Sequence, residues 1–221
     1  MMKKIQSKNA YPLPRVILEG THLTNKTDIA FAVAEHRCII GPRSHRYHIP
    51  LVSAEWETIS DAPPTKPFPR RSIINFEPHE EARAMEIFET WTRLFELQPF
   101  WYWVVDRFHI STQSFQKKHA EKNYSFEWLE KRLETLDFHL VLCTRKPETF
   151  EQARAVRLEF SETPSHYDDL QKFIDEQELM RELVRKSHLK TLELDVSDKT
   201  VAESADKIIE WMADTGGLWH R

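Results

Sequence analysis

The sequence predicts a three-layer α/β/α fold with a central parallel sheet, and three observations carry this prediction. Short apolar runs typical of buried strands alternate with longer stretches that have the spacing of amphipathic helices. This alternation favours βαβ units, in which helices cover both faces of a parallel sheet. The run FWYWVV at 100–105 is apolar throughout, as expected of a strand buried on both faces. The length of 221 residues suits one α/β domain with a substantial core.

The predicted elements follow one another along the chain. We expect strands at about 15–19, 38–40, 100–105, 138–144 and 190–194. We expect helices at about 26–36, 78–97, 125–136, 147–160, 165–187 and 200–213. Pro78 suits the first turn of its helix, and Ser125 is predicted to cap the next one. Ligands of such sheets bind beyond the carboxyl ends of the strands, which is where Gly20 and Asp106 fall.

Composition limits the classes of function. A polar tail at 1–14 is predicted to precede a single domain at 15–221, with an irregular insertion at about 41–76. The net charge of −4 excludes a uniformly basic surface of the kind that binds nucleic acid. The two cysteines lie in separate apolar runs without metal-ligand spacing, which favours a reducing, cytoplasmic setting. No secretion-signal core is visible, and no apolar run approaches the length of a membrane span.

The segment GTHLTNKT at 20–27 resembles a phosphate-binding loop that lacks most of its glycines. The Walker A pattern is Gly, four residues, then Gly-Lys-Ser/Thr, between a strand and a helix. Gly20, Lys26 and Thr27 match it, and Asn25 takes the place of the second glycine. Asn is one of the few other residues that tolerate positive φ. Taken alone, the segment fits either a phosphate loop or an ordinary strand–turn–helix connection with a surface lysine.

A second motif follows the next long apolar run, where 106–116 reads DRFHISTQSFQ. A carboxylate at a strand end beside a phosphate loop is placed to orient Mg²⁺ or to accept a hydroxyl proton. The adjacent Arg107 could bind a phosphate with two hydrogen bonds. An ion pair between Asp106 and Arg107 that simply ends the strand is the structural alternative.

Together the two motifs resemble those of thymidylate kinases and their deoxynucleoside kinase relatives. That family carries Glu-Gly-x-Asp-Gly-x-Gly-Lys-Ser/Thr after its first strand and Asp-Arg-aromatic/His-x-x-Ser-x-x-Ala-Tyr-Gln after its third. The matching residues here are Glu19, Gly20, Lys26, Thr27, Asp106, Arg107, Ser111 and Gln116. The resemblance implies a P-loop nucleotide kinase fold over most of the chain, with a lid region at about 145–165. It also suggests a homodimer formed through helices that flank the central strand.

The resemblance implies a role for each candidate site residue. Gly20 and the amides of Thr24, Asn25, Lys26 and Thr27 would bind the phosphates of ATP, and Mg²⁺ would be held by Thr27 and Asp106, helped by Glu19. The residues implied to be catalytic are Lys26, Asp106, Arg107, and the lid arginines Arg154 and Arg157. The residues expected to bind the acceptor are Ser111, Phe115 and Gln116, with Arg93 and with Arg43 and Arg46 of the basic insertion.

The departures from the family pattern concern the phosphate loop most. His22 stands where the family has a carboxylate, and Leu23 and Asn25 stand where it has glycines. The family's Arg-Glu-Pro segment after the second strand has no clear counterpart. These differences concern the recognition of the acceptor more than the fold.

Three functions are compatible with the sequence. The first is Mg²⁺-dependent transfer of the γ-phosphoryl group of ATP to a nucleotide, most simply thymidylate or a related pyrimidine deoxynucleoside monophosphate. The second is a kinase that acts on a nucleoside, or on a hydroxymethyl pyrimidine in DNA, for which the Arg/His-rich insertion would contact the DNA backbone. The third is a kinase-like protein that binds a nucleotide without turnover. Retention of Lys26, Thr27, Asp106 and Arg107 together favours catalysis.

Overall fold

Five parallel strands form the centre of the molecule. The computed structural model describes residues 12–36, 51–55, 59, 71–98 and 101–220. The strands are β1 (Pro12–Glu19), β2 (Leu51–Ser53), β3 (Trp103–Asp106), β4 (His139–Thr144) and β5 (Lys190–Asp195), in the order β2-β3-β1-β4-β5. A short strand, β6 (Leu218–His220), pairs antiparallel with the start of β1. This topology confirms the predicted central parallel sheet, with β1 in its middle.

Helices cover both faces of this sheet. Their bounds are α1 (Lys26–Ala34), α2 (Glu81–Leu97), α3 (His109–Ala120), α4 (Glu127–Thr135), α5 (Phe150–Leu158), α6 (Gln171–Val184) and α7 (Val201–Thr215). Short 3₁₀ turns that begin with proline occupy Pro78–Glu80, Pro147–Thr149 and Pro164–Tyr167. Helix α7 begins with a capping box, in which Thr200 and Glu203 each bind the other's backbone amide.

The alternation of side chains along the strands divides the core into two layers. On one face, Val16 and Leu18 of β1 pack with α1 and α7. On the other face, Ile17 packs with α2, α3, α4 and α6. Because successive strand residues point to opposite faces, a strand buried on both sides must be apolar throughout. This requirement explains why the sequence predicted β1, β3 and β4 well.

The structure corrects several predicted elements. Strand β2 lies inside the segment predicted to be irregular, while the strand predicted at 38–40 lies outside the described residues. Much of the motif after β3 is helix α3, which is absent from the predicted elements. Its Ser111, Thr112, Ser114 and Gln116 are buried, so it lacks the apolar periodicity that predicts a helix.

The ends of two further elements differ from their predictions. Ser125 does not cap α4, because the N-cap residue is Phe126 and no side chain caps the helix. The stretch expected to be one helix at 165–187 is a 3₁₀ turn followed by α6.

Within the described ranges, no helix is both long enough and apolar enough to cross a lipid bilayer. The predicted domain limits stay predictions.

Candidate active site

The loop between β1 and α1 has positive φ angles at two positions where its sequence lacks the usual glycines. Leu23 has φ 68° and Asn25 has φ 53°, both in the left-handed region, and Gly20 has φ 150°. Asn25 is the N-cap of α1, so the loop leads directly into the first turn of that helix. Exposed amides at a helix N-terminus favour anions. The two positions where the family has glycine therefore keep a conformation that glycine would normally supply.

Gly20 is required by close packing. A Cβ atom at this position would lie 2.6 Å from the carbonyl oxygen of Cys143 on β4. The hydroxyl of Thr24 donates to the carbonyl oxygen of Thr21 at 2.8 Å, which closes the loop on itself. Any side chain at position 20 would push the loop away from the sheet.

The side chain of Leu23 packs the loop against α5, α6 and the 3₁₀ turn between them. Leu23 is 9 % exposed and packs in a cluster with Phe150, Tyr167 and Phe173. Its carbonyl oxygen accepts a hydrogen bond from Nε of Arg145 at 2.9 Å. The left-handed conformation costs a residue other than glycine about 1–2 kcal/mol. The burial of Leu23 and the Arg145 hydrogen bond offset this cost.

We expect substitutions of Leu23 to reverse the usual ranking of alanine and glycine. Leu23→Ala loses packing and keeps the strain, whereas Leu23→Gly loses packing but relieves the strain. Leu23→Gly should therefore be more stable than Leu23→Ala by about 1 kcal/mol in chemical denaturation. The matched pair is at Leu133, which is fully buried within α4. There, glycine should be less stable than alanine by about 1 kcal/mol. The same ranking at both sites would contradict the strained loop.

Lys26 is a buried cation at the start of α1. Lys26 is 6 % exposed, and no carboxylate of the described residues lies within 4 Å of its Nζ. Burial lowers the pKa of Lys26 and Arg107 lowers it further, while Glu55, Asp106 and Glu176 act in the opposite direction. A buried ammonium group without an ion pair is costly. A phosphate oxygen would supply the missing partner.

Thr27 and Asp106 form the pair that could hold a metal ion. The Thr27 hydroxyl donates to Oδ2 of Asp106 at 2.8 Å, and Oδ1 of Asp106 is buried without a hydrogen-bond partner. Among the described residues, no group of three or more His, Cys, Asp or Glu side chains could hold a metal. Mg²⁺ commonly takes one or two protein ligands and completes its shell with water and phosphate oxygens. The Thr27–Asp106 pair fits this kind of site.

Arg107 lies at the end of β3 near Lys26, and we call the space between loop 20–27, Glu55 and Arg107 the candidate cleft. It is 4 % exposed, and its Nε lies 3.0 Å from Oε2 of Glu55, just after β2. This ion pair lowers the pKa of Glu55. Nη1 donates to the hydroxyl of Ser111 at 3.4 Å, whereas Nη2 is buried without a hydrogen-bond partner. Arg107 therefore retains a buried donor for a ligand.

Aromatic side chains of the 3₁₀ turn before α6 and of α6 itself contact loop 20–27 at His22. The His22 ring lies 4.7 Å from that of His166 and 5.4 Å from that of Phe173. Burial, with Arg107 and Lys26 nearby, holds the pKa of His22 well below its usual range. The family's carboxylate is thus replaced by an imidazole that is neutral at pH 7. Next to it, the hydroxyl of Thr21 donates to the carboxylate of Glu176 on α6.

Three predicted arginines are engaged elsewhere. Arg93 has a 61 % exposed side chain and pairs with Glu96 at 3.2 Å on the outer face of α2. Arg154 binds Glu151 at 3.0 Å and Asp168 at 3.3 Å. Nε of Arg157 donates to the hydroxyl of Tyr167 at 3.0 Å. The structure thus does not bring Arg93 into the candidate cleft, and it pairs Arg154 and Arg157 with residues of α5 and of the segment that follows it. Arg43 and Arg46 lie outside the described residues.

The residues expected to line a nucleobase pocket have other contacts. Nε2 of Gln116 donates to the carbonyl oxygens of Ile74 at 3.2 Å and Phe76 at 3.0 Å, so its donors hold the segment before α2. The ring of Phe115 lies 4.3 Å from that of His119. Ser111 is buried and bonds to Arg107 and to Glu19. The structure brings Ser111 to the cleft and gives Gln116 a structural contact.

Sequence reasoning missed Glu55, Glu176 and Arg145. Glu55 follows β2, a strand that the sequence pattern did not predict. Only the order of the strands, with β2 next to β3, shows that Glu55 lies near Arg107. Glu176 lies on α6 and binds Thr21, which is 155 positions away in the sequence. No spacing in the sequence links such distant residues. Arg145 is the first residue after β4, where a search of strand ends for charged residues could have found it.

Comparisons with known proteins place the fold. No protein-family model and no curated protein matches the sequence. The structure is similar to the YorR protein of Bacillus subtilis in complex with phosphorylated GDP, with a TM-score of 0.59, 16% identity, and coverage of 90% of this chain and 95% of that chain. It is similar to thymidylate kinase from Candida albicans, with a TM-score of 0.51, 14% identity, and coverage of 95% and 96%. A sugar kinase from Janibacter gives a TM-score of 0.50, 10% identity, and coverage of 91% and 95%.

These similarities extend over nearly the whole of each chain. At such low identity they establish the fold. The chain has the three-layer α/β/α fold of P-loop nucleotide kinases.

Proposed function

We propose that the protein transfers the γ-phosphoryl group of ATP to a nucleotide, most simply thymidylate or a related pyrimidine deoxynucleoside monophosphate. The observation that carries this proposal is the convergence of Lys26, Thr27, Asp106 and Arg107. Their side chains meet at the carboxyl ends of the adjacent parallel strands β1 and β3, where Thr27 bonds to Asp106 at 2.8 Å. Phosphoryl transfer needs positioned charges more than covalent chemistry.

Each residue has a role that follows from its surroundings. The amides of Thr24, Asn25, Lys26 and Thr27 would bind the donor phosphates at the start of α1. Lys26 would neutralise charge at the transferred group, because its ammonium is buried without an ion pair among the described residues. Thr27 and Asp106 would hold Mg²⁺, which when bound neutralises charge that develops on the phosphate oxygens. Nη2 of Arg107 would donate to the acceptor.

A hydroxyl acceptor is the second candidate, on a nucleoside or on a hydroxymethyl pyrimidine in DNA. The ion pair between Glu55 and Arg107 favours it. Arg107 lowers the pKa of Glu55, which keeps the carboxylate ionised and able to accept a hydrogen bond from an acceptor hydroxyl and orient it.

A panel of acceptors with ATP labelled at the γ-phosphate tests the proposal. The panel contains the four deoxynucleoside monophosphates, their nucleosides, and oligonucleotides with and without hydroxymethyl pyrimidines. We expect Mg²⁺-dependent label on a pyrimidine deoxynucleoside monophosphate. Label only on nucleosides or hydroxymethylated DNA would select the second candidate. ATP binding without label on any acceptor would contradict catalysis and favour a nucleotide-binding protein.

A further inference from the structure

The carboxylate of Glu19 binds the first turn of α3 with both of its oxygens. Oε1 accepts hydrogen bonds from the amides of Phe108 at 2.9 Å and Ile110 at 3.1 Å. Oε2 accepts from the hydroxyl of Ser111. Glu19 is fully buried, and the N-cap residue of α3 provides no side-chain cap. Glu19 therefore satisfies from β1 the amide donors that a local cap would normally satisfy.

These contacts surround the strained residue Arg107. Arg107 has φ 60°, a conformation that costs a non-glycine residue on the order of 1 kcal/mol. Its own amide donates to the carbonyl oxygen of Leu18 at 2.9 Å, and the next amide, of Phe108, donates to Glu19. Consecutive amides are thus held by consecutive residues of β1. A strained conformation persists where neighbouring contacts over-determine it.

The same carboxylate also reaches the guanidinium of Arg107 through Ser111. The Ser111 hydroxyl donates to Glu19 and accepts from Nη1 of Arg107 at 3.4 Å. With Glu55 at 3.0 Å from Nε, this contact directs the guanidinium into the cleft. Burial raises the pKa of Glu19, whereas His109, Ser111 and Arg107 act in the opposite direction.

We propose that Glu19 is a positioning residue that holds Arg107 in its strained conformation and aims its free donor at the acceptor. This inference rests on the proposed kinase function. It replaces the role of metal ligand that the sequence suggested, because both carboxylate oxygens already accept hydrogen bonds from α3. Glu19 also ties the phosphate loop, which begins at the next residue, to the helix that carries the acceptor side of the cleft.

Steady-state kinetics with ATP and thymidine 5′-monophosphate separate positioning from metal binding. Glu19→Gln keeps one oxygen for the two amides but cannot accept from Ser111 without rearrangement. We expect it to raise the KM for the acceptor roughly tenfold, as for the loss of one charge-assisted hydrogen bond. The KM for ATP and the Mg²⁺ concentration for half-maximal rate should change little. Ser111→Ala should show the same split, and the exposed Glu86→Gln should leave both KM values unchanged.

Amide hydrogen exchange provides a readout that does not depend on activity. Glu19→Leu should accelerate exchange at Phe108 and Ile110 roughly tenfold or more, while Glu19→Gln largely restores protection. If Glu19→Leu does not fold, the comparison of Glu19→Gln with wild type still decides. If Glu19→Leu kept normal protection at Phe108 and Ile110 and the Glu19 variants required more Mg²⁺ for half-maximal rate, Glu19 would be a metal ligand and the inference would be overturned. A wild-type protein that labels no acceptor would contradict the proposed function alone, since exchange still tests the contacts of Glu19.

Discussion

Replacing Lys26 with methionine is expected to abolish phosphoryl transfer without destabilising the protein. The substitution keeps the length of the side chain and removes the positive charge that the loop directs at the donor phosphates. Loss of one positioned charge or donor at a transition state typically costs roughly 10²–10³ in rate. We expect at least this loss in the labelled ATP assay.

The stability of the same variant is equally informative. Lys26 is 6 % exposed, burial lowers its pKa, and no described carboxylate lies within 4 Å. Removing such a buried charge in favour of an apolar side chain is neutral or stabilising by on the order of 1 kcal/mol. The Tm should therefore stay constant or rise. Lys131→Met, at an exposed residue that pairs with Glu127, is the control for activity. Unchanged transfer in Lys26→Met would contradict the assignment of the phosphate loop.

Replacing Asp106 with asparagine is expected to impair the use of Mg²⁺. Asparagine can still accept the hydrogen bond from Thr27, so the hydroxyl stays in place. The variant loses the charge at the buried oxygen that has no hydrogen-bond partner. We expect transfer to fall roughly 10²–10³-fold and the half-saturating Mg²⁺ concentration to rise about tenfold or more.

The control for this prediction is Asp28→Asn, in the exposed first turn of α1. It removes the same charge close to the loop without touching the Thr27–Asp106 pair. Both variants should be measured over a range of Mg²⁺ concentrations. Equal Mg²⁺ dependence in Asp106→Asn and the wild-type protein would show that the metal is bound elsewhere.

The sequence predicted the parts of this fold whose physics is local. Strands β1, β3 and β4 are buried on both faces, which forces continuous apolar runs, and the order of the two motifs along the chain indicated the kinase fold. Strand β2 has three residues and partly buried side chains, so it left no comparable signal. The buried face of helix α3 carries polar residues, so its sequence lacks the amphipathic pattern that predicts a helix.

The two motifs predicted which candidate residues lie close together, but they did not predict the contacts of these residues. Lys26, Thr27, Asp106 and Arg107 lie together as the motifs indicated. The missing glycines suggested a degenerate loop, yet Leu23 adopts the left-handed conformation while its side chain packs against Phe150, Tyr167 and Phe173. Glu19 and Gln116 matched family positions, but both are engaged in holding backbone segments. Such roles depend on contacts between side chains that are distant in sequence. A single sequence does not show which of its distant residues are in contact.

A crystal structure with Mg²⁺ and a non-hydrolysable ATP analogue would test the central claim most directly, which is that residues 20–27 bind phosphate despite their lost glycines. We predict that the β- and γ-phosphates lie against the amides of Thr24 to Thr27, with Nζ of Lys26 within 4 Å of a phosphate oxygen. Leu23 and Asn25 should keep positive φ. A nucleotide bound away from this loop, or a loop whose amides face no phosphate, would contradict the account.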